Sequence, residues 1–286
     1  MKKQKLFAIV LTLIMAAALL AGCGSKEAPA PEPPAADGAS QEAPAPEPEP
    51  EPGLTGAFMI AAAASLQNAL DGDLIPLFNQ ANPDVAITGT YDSSGKLQTQ
   101  IEEGLDAQIF FSAATKQMTA LAEGGFIDSS SVVNLLENEV VLITGTDTET
   151  KVTGFENITD AEGIAIGDPA SVPAGQYAQE ILTSLGSWDA VNAKASLGTN
   201  VTEVLTWVAE GSAEVGVVYR TDAASMADKV KVIASAPEGS LQTPVVYPVG
   251  LSSDLGDKAE AARAFIEFLR SPEALAVFEK YGFKPL

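Results

Sequence analysis

Four short stretches of this chain place unpaired backbone N–H groups at the start of an expected helix: Ala64-Ser65, Ser93-Ser94-Gly95, Pro173-Ala174-Gly175 and Asn200-Val201. Two of them, at Ser65 and at Ser93-Ser94, also supply hydroxyls. The first N–H groups of a helix lack an intrahelical partner, and the helix dipole adds about half a positive charge there, so each junction suits an anion. Ser and Asn are also ordinary helix caps, so one junction alone describes only a helix start. Anion chemistry requires several of them to converge.

A rival chemistry sits at the second junction. Ser93-Ser94-Gly95-Lys96 fits S-x-x-K, the nucleophile motif of serine penicillin-interacting enzymes, but the companion S-D-N and K-T-G motifs are missing from the chain. The chain contains no histidine, which removes Ser-His-Asp and Cys-His catalysis, His-ligated metals and His proton shuttles. A single cysteine, Cys23, excludes an internal disulfide and a thiolate metal cluster. Asp168 and Asp222 fall near expected strand ends, yet no carboxylate pair marks a glycosidase or a cation site, and none stands at the four junctions. Trp188 and Trp207 read as helix or core packing. No catalytic residue, cofactor or directly bound metal cation is expected.

The elements that must carry these junctions are legible as alternating apolar runs and amphipathic stretches. Strands are expected at Ala57–Ala64, Val85–Thr90, Gln108–Ser112, Val140–Thr144, Ile164–Gly167, Val215–Tyr219 and Val245–Leu251. Ser65 is expected as the N-cap of a helix that Pro76 kinks or ends. Pro173 opens a helix with Tyr177, Ile181, Leu182 and Leu185 inward and Gly186 as its stop; Asn200 caps another that stops at Gly211. The chain ends in helices over Lys258–Leu269 and, behind Ser271-Pro272, Ala274–Lys280. Alternating strands and helices imply α/β architecture with mostly parallel sheets. The body is large for one sheet, so two lobes are expected: 55–137 plus 242–286, and 138–241.

The N-terminus reads as an export signal. Lys2, Lys3 and Lys5 precede an uncharged run from Leu6 to Leu20, short for a bilayer span and suited to a secretory core. Leu20-Ala21-Gly22-Cys23 resembles the lipobox of bacterial lipoproteins. That resemblance implies a signal peptide over 1–22, cleavage before Cys23 and lipid on its sulfur, with a transmembrane anchor as the alternative. Residues 24–53 hold nine of the 18 prolines. Such a stretch favours extended polyproline II and could reach ~90 Å, so 23–54 is expected to tether a soluble body to a membrane. Hydrophobic residues make up 46% of the whole chain, enough for a packed core. Residues 54–286 carry 31 acidic and 12 basic side chains, net −19, which excludes a nucleic-acid partner in favour of other functions.

Taken in order, Ala62-Ala63-Ala64-Ser65-Leu66, Ser93-Ser94-Gly95-Lys96-Leu97, Gly167-Asp168-Pro169 with Val172-Pro173-Ala174-Gly175-Gln176-Tyr177-Ala178, Gly216-Val217-Val218-Tyr219, and Ser271-Pro272-Glu273-Ala274 with Tyr281-Gly282-Phe283 resemble the molybdate-binding proteins of ABC transporters across about residues 56–286. The resemblance implies the type II periplasmic-binding-protein fold, with mixed, mostly parallel sheets and a two-strand hinge. It implies capture of molybdate or tungstate outside the cytoplasm and delivery to a permease driven by an ATPase, by a monomer held to the membrane through its lipid. It also implies the contacts: Ser65 and Ser94 through hydroxyl and N–H, Ala174 and Val201 through backbone N–H, and Tyr219 through its phenol, with Ser93 as the alternative to Ser94. The segment Asp106–Ala114 lacks two acids that family members often carry, and those acids are expected to be structural.

The chemistry agrees with that implication. Molybdate and tungstate near neutral pH are dianions that offer only acceptors, so a selective pocket presents only donors. Oriented neutral dipoles can replace hydration without a counter-ion. A receptor for sulfate or another solute of the same fold is the alternative, and a surface-anchored serine enzyme a remote one.

Overall fold

The computed structural model describes residues 53–286; the expected signal peptide, Cys23 and almost all of the tether lie outside the described residues. The described chain forms strands β1 (Gly56–Ala63), β2 (Val85–Asp92), β3 (Ile109–Phe111), β4 (Val133–Asn138), β5 (Val140–Gly145), β6 (Ile164–Gly167), β7 (Ser196–Gly198), β8 (Val215–Tyr219), β9 (Val230–Ser235), β10 (Val245–Leu251) and β11 (Lys284–Pro285). They build a six-stranded sheet in the order β11-β4-β10-β3-β1-β2 and a five-stranded sheet in the order β7-β6-β8-β5-β9. The chain passes from the first sheet to the second through the single residue Glu139 and returns through 236–244.

β1 shows why an unbroken apolar run becomes a strand here. It pairs in parallel with β2 on one side and, over Ile60–Ala62, with β3 on the other, so Ile60–Ala63 are buried on both faces. Alternate residues serve opposite faces. Ala61 joins Leu97, Ile101 and Phe110 in one apolar cluster. Phe58, Ile60 and Ala62 join Phe265, Ile266 and Leu269 in the other. Phe265 packs against Phe58 at 5.8 Å and edge-on against Phe78 at 5.0 Å between ring centroids, geometries that aromatic quadrupoles favour.

Three expectations are corrected. The sheets are mixed, but among the described residues parallel pairings number four and antiparallel pairings five, because β10 returns against β3 and β4, and β5 runs against β8 and β9. Ser65 is not an N-cap: β1 stops at Ala63, which is the N-cap, and Ser65 lies inside a 3₁₀ turn over Ala64–Leu66. Pro76 neither ends nor breaks its helix. A wide π turn over Leu70–Leu74 precedes it and the α-helix Ile75–Ala81 continues beyond. Pro76 stands in the first turn of that helix, where an N–H has no intrahelical partner to lose.

β4, β7 and β9, with the short helices Trp188–Asn192 and Arg220–Ser225, were outside the sequence expectation. β9 is an edge strand with mostly exposed or half-buried side chains, so it carries little apolar signal. Among the described residues no helix is long and apolar enough to cross a membrane.

Candidate functional site

Ser65, Ser94, Ala174, Val201 and Tyr219 line one small cavity, which Asp92, Ser93 and Ala113 also border. They come from two sheets and five strand ends. Ser65 follows β1, Ser94 follows β2, Ala174 follows β6, Val201 follows β7, and Tyr219 is the last residue of β8. The ends are level: Ala63 sits opposite Asp92, and Gly167 opposite Gly198. Ligands of open α/β sheets bind at the carboxyl ends of strands for this reason.

Local sequence fixes each donor. Ser94 opens the helix Ser94–Glu102 behind the cap Ser93, Ala174 is the second residue of Pro173–Ser184, and Val201 the first of Val201–Ala209 behind the cap Asn200. In the turn before Ala174, the backbone approaches so closely that a Cβ on Gly175 would stand 2.0 Å from the carbonyl oxygen of Gly167; only glycine lets that helix start settle against β6.

The two adjacent serines divide their tasks. Ser93 Oγ accepts the Lys96 N–H at 3.4 Å and caps the helix. Ser94 Oγ, fully buried, accepts the Ala113 N–H at 2.9 Å, which leaves its own proton uncommitted. The segment Asp106–Ala114 thus borders the cavity through Ala113, whose N–H holds a serine there.

Tyr219 is held by edge-on contacts with Tyr177 at 6.4 Å and Tyr247 at 5.7 Å between ring centroids. Its Oη is buried and has no hydrogen-bond partner. Burial, reinforced by the neighbouring Tyr247, pushes the phenol well above its ordinary pKa and keeps it a donor. A buried hydroxyl without a partner costs ~1–3 kcal/mol, which a bound acceptor would remove.

One carboxylate does stand at the junctions, contrary to expectation. β2 runs on through Asp92, whose side chain borders the cavity. Its Oδ1 accepts from Ser93 N–H at 2.7 Å, Asn200 Nδ2 at 3.2 Å and Lys96 Nζ at 3.5 Å. The lysine of the S-x-x-K motif is thus paired with Asp92, and the serine before it caps a helix.

Several hydrogen bonds tie elements around the first sheet to elements around the second, three of them near the cavity. Gly95 N–H donates to Ser171 O at 2.9 Å, Asn200 Nδ2 to Asp92 Oδ1 at 3.2 Å, and Gln117 Nε2 to Gln176 Oε1 at 3.2 Å. Sequence reading missed Tyr247, bonded to Ser65 behind the cavity, and gave Asp222, seen there only as a carboxylate near a strand end, no part in it; Asp222 accepts Tyr219 N–H at 3.0 Å. Tyr247 carried one usable signal. A tyrosine inside the apolar run of β10 brings a hydroxyl that burial favours pairing with a polar partner.

The chain matches the family described as bacterial extracellular solute-binding protein over residues 58–284. A Bacillus subtilis protein whose name describes a substrate-binding lipoprotein of an ABC transporter is 41% identical over 224 residues, 78% of this chain and 85% of its own length. The molybdate-binding protein of Escherichia coli is 34% identical over 234 residues, 80% of this chain and 89% of its own. The solved periplasmic molybdate-binding protein of Azotobacter vinelandii superposes with a TM-score of 0.68 at 22% identity, covering 79% of this chain and 98% of that one, which shows a shared fold.

Proposed function

The chain belongs to the family of bacterial extracellular solute-binding proteins, and on that premise we propose that it captures molybdate, or tungstate, outside the cytoplasm and hands it to an ABC permease and its ATPase. One observation carries the choice of ligand: Ser65, Ser94, Ala174, Val201 and Tyr219 border a single small cavity, and the buried Tyr219 hydroxyl in it has no partner. These are neutral donors. They complement an anion that offers only acceptors, at ~1.5–3 kcal/mol for each hydrogen bond to the charged ligand.

In this reading the oxyanion lies between Ser65 and Ser94 of a first lobe, 55–137 plus 242–286, and Ala174, Val201 and Tyr219 of a second, 138–241. The membership of each strand in one of two sheets supports that division. Ser94 is preferred to Ser93 because it is the serine directly before Gly95 in the stretch that carries the family resemblance; both hydroxyls accept a backbone N–H and keep a proton to donate. No step of catalysis and no cofactor is assigned; molybdate is cargo. The protein acts as a monomer lipidated at Cys23, and the lipoprotein name of the Bacillus relative supports the anchor.

Thermal melting of the purified protein across an oxyanion series tests the ligand. Molybdate and tungstate raise the transition by mass action, while sulfate and phosphate leave it unchanged. A shift with sulfate alone moves the reading to a sulfate receptor. Mass spectrometry of the N-terminal peptide from membranes, with Cys23→Ala as control, tests the anchor.

A further inference from the structure

Asp92, the last residue of β2, makes one hydrogen bond within its own turn and one to the other sheet's elements. Its Oδ1 accepts the Ser93 N–H at 2.7 Å and Asn200 Nδ2 at 3.2 Å, and Lys96 Nζ stands 3.5 Å away as the counter-charge. The groups themselves fix each direction. A backbone N–H, an amide nitrogen and an ammonium only donate, and a carboxylate oxygen only accepts. The amide of Asn200 is oriented from its other end: Asn200 Oδ1 accepts the Glu203 N–H at 3.0 Å, which leaves Nδ2 for Asp92. Glu203 Oε2 accepts the Thr199 N–H at 2.6 Å and closes the same turn from the far side. Asn200 is therefore held in place by its own helix start.

The two partners belong to different sheets. β2 lies in the six-stranded sheet, and Asn200 follows β7 of the five-stranded sheet. Each stands beside a proposed ligand contact. Asp92 comes two residues before Ser94 and Asn200 directly before Val201, and Asp92, Ser94 and Val201 border the same cavity. Of the three cross-sheet bonds near the cavity, this one has a charged acceptor; the others end on the Ser171 carbonyl and the Gln176 amide. A charged acceptor makes the stronger hydrogen bond.

We propose that Asp92 is a positioning residue for the bound oxyanion: through Asn200 it holds the helix start that carries Val201 against the one that carries Ser94, and so sets how long the ligand stays. Lys96 offsets the carboxylate charge, which would otherwise oppose a dianion in the cavity. The lysine of the S-x-x-K stretch thereby has a task that is not catalytic. The inference rests on the oxyanion reading above and adds a residue that acts on the ligand through another.

The test is Asn200→Ser in the full chain, with molybdate binding read by calorimetry and stopped flow. Serine is as good a helix cap as asparagine, so the Glu203 N–H keeps an acceptor, while its shorter side chain carries no amide to reach Asp92. Net charge is unchanged. Affinity is expected to fall about three- to tenfold through a faster off-rate, with the association rate near wild type and the ligand-free melting transition unmoved. Asp92→Ala completes a double-mutant cycle. In that background Asn200→Ser should cost nothing further, whatever the lost charge does to affinity by itself. Asp92→Asn keeps an oxygen for Ser93 N–H and Asn200 Nδ2, and there Asn200→Ser should cost an intermediate factor. Wild-type affinity and off-rate in Asn200→Ser, or the same cost in all three backgrounds, overturns this inference alone. So does a lower melting transition with unchanged binding, which would make the bond part of the fold. A wild-type chain that binds no oxyanion overturns the functional reading and this inference together.

Discussion

The backbone N–H of Gly95 donates to the carbonyl of Ser171 at 2.9 Å, joining the start of the helix Ser94–Glu102 to the turn before Pro173–Ser184. A Cβ at Gly95 would stand 2.3 Å from that carbonyl oxygen and 2.7 Å from the Ser171 Cα, against backbone that cannot rotate away. Gly95→Ala should therefore hold the two halves apart without touching either core. The expected result is oxyanion affinity lowered ~10- to 100-fold, with the ligand-free melting transition little changed. Calorimetry and small-angle scattering check it: the variant should remain more extended with ligand than wild type does.

Tyr219→Phe separates binding from stability. The Tyr219 Oη is buried and unpartnered, so removing it takes away an unmet group and leaves both ring contacts in place. The ligand-free protein should melt no lower than wild type, and molybdate affinity should fall ~10- to 100-fold, the loss of one hydrogen bond to a charged ligand. A lower melting point with unchanged affinity would assign the hydroxyl to the fold and not to the ligand.

Asp222 should make stability depend on pH in an unusual direction. Burial lifts its carboxyl from 3.8 to about 7, opposed by the Tyr219 N–H that it accepts. An acid whose pKa is higher folded than unfolded holds more protons in the native state, so stability falls as pH rises from about 4 to about 7 and is level above. At ~1.4 kcal/mol per pH unit this places a ceiling of roughly 4 kcal/mol on the effect. Asp222→Asn keeps an acceptor for Tyr219 N–H and carries no charge. Its melting point should gain on wild type between pH 5 and pH 8; a difference that stays constant over that range would show that Asp222 does not titrate there.

The charge of the body predicts the kinetics. Residues 54–286 carry a net −19, so an incoming dianion meets long-range repulsion, which salt screens. Stopped-flow association rates should stay level or rise with ionic strength. A steep fall with salt would reveal local steering that outweighs the net charge.

Much of this protein could be read from its residues. Helix starts at Pro173 and Val201, the glycine stops at Gly186 and Gly211, and the buried run of β8 are local properties of chain chemistry, and the structure has them where periodicity and capping place them. Four junctions that suit an anion could be picked out because each sets free N–H groups, two of them with hydroxyls, in a few adjacent residues; the five individual contacts, Tyr219 among them, came from the family resemblance. What joins them is not local. Ser65 and Tyr247 are 182 positions apart, Asn138 and Tyr247 109, and Asp92 and Asn200 108, and no periodicity encodes such pairings. The antiparallel return of β10 was likewise invisible, because an apolar run is equally at home beside a parallel or an antiparallel neighbour. Sequence alone determined which groups could meet an anion. Only the tertiary structure decided which of them share a cavity and what stands behind each, because those partners come from strands far apart in the chain.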